Sequence, residues 1–597
     1  MNTLVSRSPA HPVRRESTAA LACVLLLAVL VGWLDPGIAP AQTGMPAALR
    51  VLALNLLPAL AAFALLLALT RRLMLSAWLL ALALAGLYGA NTAKLGVLQM
   101  PLLPADLHLL AEPLPALHLF AQYLHVDPAR VLGLLLGVLL TALLCRERRL
   151  ATLTGPRAIA LAGFALLGAL SLVGGAAPWR RLYAAGGAGL EPWALAESTA
   201  RSGLLGSLLL YHWELPSGEV PAADRDAATA LLAAHAPELR AGLAAGSATE
   251  RPDIVVLQSE SLFDPARLQG VASGRWLPEY HRLAQFGTSG DLEVPTFAGG
   301  TIRTEFEVLT GAPLASLGGV QYPWLELDRE AYPGLARVLD AHGYRSTAVH
   351  PNAAAFWNRA RAYPALGFER FVDGESFAKD RIVGLFTADA ALTERVLDEL
   401  PDDGPPRFVF AISMENHGPF DWRPGLDPAR LAALPMPERL DAGARLWMGN
   451  YLYLLDDADH ELGRLAAALA RRPRRTLLLF YGDHLPGLGP VYAQLGFDDG
   501  RDAREQPVPW LLLDSADVRP RRLDTTSWML PALLLQAAGI GDDDYFAVLA
   551  TLARSPDFDP HEAGAAAGID ALARLHLRGE LQPLLRDALG LAPALVD

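Results

Sequence analysis

The stretch GGTIRTEFEVLTG, residues 299–311, decides how the chain is read. Gly299 and Gly300 leave the backbone permissive, and Thr301 then opens a helical pattern. Ile302, Phe306 and Leu309 recur at i, i+4 and i+7, the spacing of one buried helix face. Thr301 stands at the expected N-cap, where free backbone N–H groups and the helix dipole favour an anion. Its hydroxyl is a candidate nucleophile for a phosphate-handling enzyme. The same residues also describe a plain helix cap, so the rest of the chain has to decide.

Composition narrows the choice. The chain has 597 residues, of which 52% are hydrophobic, and the apolar ones crowd the first third. A formal net charge of −13 argues against nucleic acid as a partner, which would need a basic stripe. The two cysteines, Cys23 and Cys145, lie in or beside apolar segments, which leaves no disulfide framework for a domain outside the membrane.

Five apolar segments approach the length that spans a bilayer: residues 17–34, 47–70, 73–90, 129–145 and 158–177. Arg14 and Arg15 precede the first, but Trp33-Leu34-Asp35-Pro36 makes a poor cleavage site, so it reads as a retained helix rather than a signal peptide. Arg7, Arg14, Arg15, Arg71, Arg72, Arg146, Arg148, Arg149 and Arg157 fall in alternate loops. The positive-inside rule then places the N-terminus in the cytoplasm and everything beyond 177 outside, with Arg180 and Arg181 a mild exception. The loop at 91–128 faces outward, either on the membrane surface or as an ordinary long loop. Residues 193–216, Leu-rich with Trp near both ends, suit a helix lying in the interface or a packed core helix.

The expected organisation is therefore a five-helix transmembrane domain at 1–177 and a juxtamembrane amphipathic helix and linker at 178–250. An α/β domain at 251–541 and a helical tail at 542–597 come after them. Ligands of open α/β sheets gather beyond the carboxyl ends of the strands. The apolar run 254–257 leads into Gln258-Ser259-Glu260-Ser261, and 347–349 into His350-Pro351-Asn352. Run 408–412 leads into Ser413-Met414-Glu415-Asn416-His417, and 477–481 into Gly482-Asp483-His484. A threonine hydroxyl needs a base or a metal to become a nucleophile at neutral pH. Glu260, Asp483 and His484, with Thr301 as fourth ligand, would hold one divalent cation. Two carboxylates with one imidazole lean towards Mn2+ or Mg2+. Glu415 and Asn416 read as bystanders.

Residues 251–541 resemble the lipoteichoic acid synthase and phosphoglycerol transferase group of the alkaline phosphatase superfamily. The resemblance rests on VVLQSESLFD (255–264), GGTIRTEFEVLTG, HPNAAAFWNRARAYPALGF (350–368), MENHGPF (414–420) and YGDHLPGLG (481–489), in that order. Five amino-terminal spans before an outward catalytic domain are also that group's plan. The resemblance implies an alkaline-phosphatase-like sandwich domain in which Glu260, Thr301, Asp483 and His484 bind Mn2+ or Mg2+, with Thr301 as nucleophile. It implies further that His350, Trp357, Arg359 and His417 hold a phosphoglycerol head group. Arg359 suits a phosphate through its planar fork, and His417 suits proton delivery to a leaving alkoxide.

The group's nucleophile loop often reads T-S-D-x-E-F, whereas here Arg303 stands where an acidic residue is usual, which makes it a candidate for acceptor selection. Thr304 supplies a second hydroxyl. The implied activity moves a phosphoglycerol group from a phosphatidylglycerol-like membrane lipid, through a phosphothreonine ester, to a glycan or polyglycerolphosphate acceptor. The alternatives are a phosphoethanolamine transferase, a sulfatase or phosphodiesterase-type hydrolase, and a non-catalytic head-group sensor. No cysteine beyond 145 speaks against the first, and the lack of a C/S-x-P-x-R sequence against a classical sulfatase. The expected location is a bacterial inner membrane with the catalytic domain in the periplasm, in keeping with a Lys-poor, Ala/Arg/Leu-rich composition.

Overall fold

The computed structural model describes residues 10–38, 44–98, 100–110, 128–190, 195–215, 218–244, 247–272, 274–327 and 329–590. Residues 111–127 of the expected outer loop thus lie outside the described residues. Two compact units divide the chain: one built from 1–107 and 121–215, the other from 108–120 and 216–597.

Long apolar helices make up the first unit. Among the described residues four are long and apolar enough to cross a membrane by length and composition: Arg15–Leu34, Met45–Thr70, Leu73–Gly96 and Gly155–Val173. The remaining expected span is the helix Pro128–Leu144, 17 residues long and so shorter than the others. Basic residues tie the loops down: Arg71 Nε donates to the Leu153 carbonyl at 2.7 Å and Arg72 Nε to that of Glu147 at 2.9 Å.

The single interface helix expected at 193–216 is instead two helices, Leu195–Ser202 and Leu204–Glu214. They break at Gly203, whose φ of 72° and close approach to Asn55 admit no side chain: a Cβ there would lie 2.4 Å from Asn55 Nδ2. Asn55 bridges the break, donating to the Ser202 carbonyl and accepting from the Gly206 N–H, each at 2.8 Å. The second helix is packed within the unit, with Leu204, Leu209, Leu210 and Tyr211 buried, so the packed-helix alternative describes it.

The second unit is a mixed α/β domain. Its strands are β1 (Asp253–Ser259), β2 (Thr288–Glu293), β3 (Arg345–Val349), β4 (Arg370–Val372), β5 (Ile382–Val383), β6 (Phe386–Thr387), β7 (Arg407–Ile412), β8 (Thr476–Gly482), β9 (Val508–Asp514), β10 (Arg521–Arg522) and β11 (Thr525–Thr526). Nine form one sheet in the order β10-β2-β9-β8-β1-β7-β3-β4, with β11 also on β2, and β5 pairs with β6. The run β8-β1-β7-β3-β4 is parallel, whereas β9 is antiparallel to both β8 and β2. β1 and β8 are buried at every position, which explains their continuous apolar sequence in place of alternation. The register sets Ser259 beside Gly482 and Gln258 beside Ile412, so the peptides leaving β1, β7 and β8 emerge side by side.

The tail is built into this unit. Gly568 of helix Ala563–Arg578 packs so closely on helix Arg225–Ala234 that a Cβ would fall 2.6 Å from Leu231 Cβ. His576 stacks on Tyr545 with ring centroids 3.8 Å apart, and Tyr545 donates at 2.8 Å to the carbonyl of Gly311, the C-cap of the helix that begins after Thr301.

Candidate active site

Two neighbouring strand ends and one helix start meet at the carboxyl edge of the sheet. Glu260 follows β1 and Asp483-His484 follows β8, its immediate neighbour. Thr301 directly precedes the helix Ile302–Thr310. The turn that delivers it is unusual: Ala298, Gly299 and Gly300 all have positive φ, at 58°, 149° and 77°. A Cβ on Gly300 would sit 3.0 Å from Thr296 Oγ1 and 3.3 Å from Arg303 Cδ, so this position requires glycine.

Thr301 does not act as a cap. Its side chain makes no capping hydrogen bond. Instead its Oγ1 donates to Glu260 Oε2 at 3.3 Å. Thr304, the second hydroxyl, donates to the carbonyl of Asp483 at 2.7 Å and so clamps the helix to the end of β8. A hydroxyl held that way is a structural tie, which leaves Thr301 as the one aimed at the acidic groups.

Glu260, Asp483 and His484 are nearly fully buried and offer ligand atoms that all lie within 4.8 Å of one another. His484 Nε2 stands 3.5 Å from Glu260 Oε1 and 3.3 Å from Asp483 Oδ2. His484 Nδ1 is 3.0 Å from the Leu485 carbonyl, which can only accept, so Nδ1 carries the proton. Burial lowers the imidazole pKa, against the raising effect of Glu260, so the ring is neutral and Nε2 presents a lone pair to two carboxylates.

Asp483 Oδ2 and His484 Nε2 have no hydrogen-bond partner although both are buried. Burial and the charge of Glu260 push Asp483 well above the usual carboxylate range. Burial alone would raise Glu260 too, but the positive charge that His417 and His484 gain on protonation and the hydroxyls of Ser261 and Thr301 favour its ionised form and hold it low. Lone pairs converging in a dry site are costly unless a cation joins them. The residues present therefore fit a divalent metal, with Glu260, Asp483 and His484 as ligands beside the Thr301 hydroxyl.

Neighbouring groups fix these ligands. Ser261, in a left-handed conformation at φ 52°, turns its N–H to Asp483 Oδ1 and its hydroxyl to Glu260 Oε1, both at 2.8 Å. Ser413, which follows β7, accepts from the Glu260 N–H at 2.9 Å. Sequence reasoning assigned neither serine a role, although both stand in the quoted strand ends.

The expected head-group residues stand after β3, after β7 and around the start of the helix Arg359–Leu366. His350 follows β3, its Nδ1 3.3 Å from the Ile412 carbonyl, and burial together with the charge of Arg359 keeps it neutral. His417 is half-buried, its Nδ1 2.8 Å from the Gly418 carbonyl and its ring edge-on to Phe386. Burial lowers its pKa, opposed by Glu260, so its Nε2 is also unprotonated. Arg359 is 1% exposed, and its Nε and Nη2 both donate to Glu305 Oε2, at 3.1 and 2.8 Å. Glu305 was unassigned in the sequence; it also accepts from Trp324 Nε1 at 3.1 Å, which locks the fork's orientation. Trp357 is half-buried on a left-handed backbone and stacks on Tyr322 at 4.9 Å. Arg303 is buried, with its Nε on the Gln321 carbonyl at 3.0 Å and Nη2 on the Gln321 side chain. Glu415 and Asn416 hold no metal-facing position: Glu415 Oε2 accepts from the Asp389 N–H at 2.7 Å, and Asn416 Nδ2 donates to the Ser261 carbonyl at 3.3 Å.

Comparison with known proteins bears on the family and fold of this domain. The sulfatase family model matches residues 252–540. A Rhizobium meliloti (strain 1021) protein named a putative cyclic beta-1,2-glucan modification protein is 32% identical over 256 residues, 43% of this chain and 39% of that one. The capsular polysaccharide biosynthesis protein RkpI of the same strain is 34% identical over 306 residues, 49% of this chain and 52% of its own length. The chain thus spans about half the length, or less, of these curated relatives. Proteins named lipoteichoic acid synthase are also among its relatives. Among solved structures, the phosphoglycerol transferase GacH of Streptococcus pyogenes, in complex with sn-glycerol-1-phosphate, superposes with a TM-score of 0.51 at 20% identity. That match covers 62% of this chain and 97% of GacH and establishes the fold. Residues 252–540 are a sulfatase-family domain with the alkaline-phosphatase-like fold, carried in a chain that begins with apolar helices.

Proposed function

We propose that the protein is a membrane-anchored, metal-dependent phosphoglycerol transferase. It would take the phosphoglycerol group of a phosphatidylglycerol-like lipid and pass it to a glycan or polyglycerolphosphate acceptor outside the cytoplasmic membrane. One observation carries this reading: a threonine hydroxyl turned away from its helix towards Glu260, beside the partnerless buried atoms Asp483 Oδ2 and His484 Nε2. A head-group sensor has no need of that hydroxyl. The relatives named for glucan modification and capsular polysaccharide biosynthesis support a glycan on the acceptor side.

In the first step Thr301 Oγ1 attacks the donor phosphorus and the bond to the diacylglycerol oxygen breaks, leaving a phosphoglycerol–threonine ester and a free diacylglycerol hydroxyl. In the second, an acceptor hydroxyl attacks the same phosphorus and the Thr301–phosphorus bond breaks. A divalent cation held by Glu260, Asp483, His484 and Thr301 would lower the pKa of the threonine hydroxyl and offset negative charge on the phosphoryl oxygens. In the first step His417, with Nδ1–H fixed on Gly418, relays the Thr301 proton through Nε2 to the leaving diacylglycerol oxygen, and in the second it relays the acceptor proton to Thr301 Oγ1. His350 and Arg359 orient the phosphoglycerol group, and Trp357 with Tyr322 gives its glycerol a flat wall.

The site lies on the periplasmic side of an inner membrane in this reading, as the arginines in alternate loops imply. Mass spectrometry of the protein after exposure to phosphatidylglycerol and Mn2+ tests it. The expected adduct on Thr301 is phosphoglycerol; a phosphoethanolamine adduct from phosphatidylethanolamine, or no adduct with either lipid, rejects the reading.

A further inference from the structure

A cleft of about 510 Å3 opens beside β2, with walls that include Tyr280, His281, Gln285, Asp291, Arg521 and Arg522. None of these residues serves the reacting groups, and the volume is that of an ordinary ligand pocket. We propose that this cleft is the acceptor subsite and takes a neutral oligosaccharide. The proposal rests on the transferase reading above and adds the place and the chemistry of the acceptor.

The charge pattern selects the ligand. Each cation of the cleft already faces a carboxylate. His281 Nε2 lies 3.4 Å from Asp264 Oδ2, Arg267 Nη1 3.3 Å from Asp291 Oδ2, Arg522 Nη2 3.3 Å from the same oxygen, and Arg521 Nη2 2.9 Å from Asp517 Oδ2. A polyanion such as a glycerol-phosphate polymer would have to displace these pairs and approach Asp264 and Asp291 directly. Sugar hydroxyls instead donate to the carboxylates and accept from the guanidinium N–H groups at once, leaving the pairs in place. Pro507, Pro509 and Pro520 complete the lining with apolar surface suited to the C–H faces of sugar rings. The Arg521 and Arg522 side chains are 53% and 68% exposed, so a ligand reaches them without rearrangement of the core.

Chain connectivity places the cleft near the chemistry. Asp264 follows Glu260 by four residues, and four Cα steps of 3.8 Å cannot exceed about 15 Å. β2, which carries Asp291, leads directly into the turn that delivers Thr301. A sugar chain seated there presents a terminal hydroxyl to Thr301. Its oxygen forms the new bond to phosphorus, the bond from phosphorus to Thr301 Oγ1 breaks, and the hydroxyl proton ends on Thr301.

Calorimetry on the full-length Thr301→Ala protein in detergent, with a neutral linear gluco-oligosaccharide as probe, tests the cleft without turnover. Adding Arg521→Ala with Arg522→Ala, or Gln285→Trp to fill the space, is expected to weaken binding at least about tenfold. In the otherwise wild-type chain the same changes should raise the KM for the oligosaccharide while release of diacylglycerol from the lipid to water stays unchanged. Absence of oligosaccharide binding, or equal binding by the variants, overturns the proposal. So does preferential binding of a glycerol-phosphate oligomer that is lost with the same substitutions. Failure of the parent protein to cleave the lipid would reject the transferase reading instead, and the binding arm would still judge the cleft.

Discussion

Arg303 donates through Nε to the carbonyl of Gln321 at 3.0 Å, and the next residue, Tyr322, is the ring on which Trp357 stacks. The arginine two positions after Thr301 therefore braces the Tyr322–Trp357 stack from behind. Replacement of Arg303 by Met should release the 318–322 turn and raise the donor KM about five- to tenfold, with kcat less affected. Acceptor preference should stay as it is. A shift in acceptor preference at unchanged donor KM would mean that Arg303 meets the acceptor after all.

Arg359 and Glu305 form an ion pair that is 1% and 0% exposed. Removing one partner strands a buried charge, so Glu305→Ala should cost about 3–5 kcal/mol of stability. A lower denaturant midpoint would register it. Glu305→Gln keeps the shape and an oxygen acceptor but loses the charge, and should stabilise the guanidinium less while freeing it for phosphate. The expected result is a tighter donor KM in a weaker fold. If Glu305→Gln leaves both unchanged, the pair does not set the position of Arg359.

Much of this site was legible because a parallel sheet sends its strand ends to one edge. Glu260, His350, His417 and Asp483-His484 all stand just beyond the end of an apolar run, and the register of β8, β1, β7 and β3 brings those ends together. Pairing across the chain escaped. Nothing local shows that Glu305 meets Arg359, that Ser261 serves two carboxylates, or that Arg303 turns to Gln321, since each depends on loops closed by the fold. The helical tail escaped for the same reason: its Ala/Leu spacing shows a buried face but not that Tyr545 reaches Gly311. The break at Gly203 is likewise set by contact with Asn55, a residue 148 positions earlier.

The partnerless Asp483 Oδ2 and His484 Nε2 predict a measurable response to metal that is independent of turnover. Mn2+ added to chelator-treated protein should raise its melting temperature, because a ligand bound only by the folded state adds stability. Thr301→Ala should keep most of that shift while losing activity by about 1,000-fold or more. Asp483→Ala should lose both. A full thermal shift in Asp483→Ala would place the metal elsewhere.

Glu415 and Asp389 give the fold a pH dependence of definite sign. Burial raises the Glu415 pKa to about 9, the nearby Asp389 adding to it, and burial raises Asp389 to about 7. Both folded values lie above the ordinary 4.5 and 3.8, so the fold binds protons that the unfolded chain has already released at neutral pH. The stability these groups contribute is complete below about pH 4 and is lost as the pH rises through 7 towards 9. Glu415→Gln retains an oxygen to accept the Asp389 N–H but cannot ionise. Melting temperatures at pH 6 and pH 9 should therefore fall less in Glu415→Gln than in the parent, and the variant should be the more stable of the two at pH 9. Equal falls in both proteins would show that the Glu415 carboxyl does not ionise within that window.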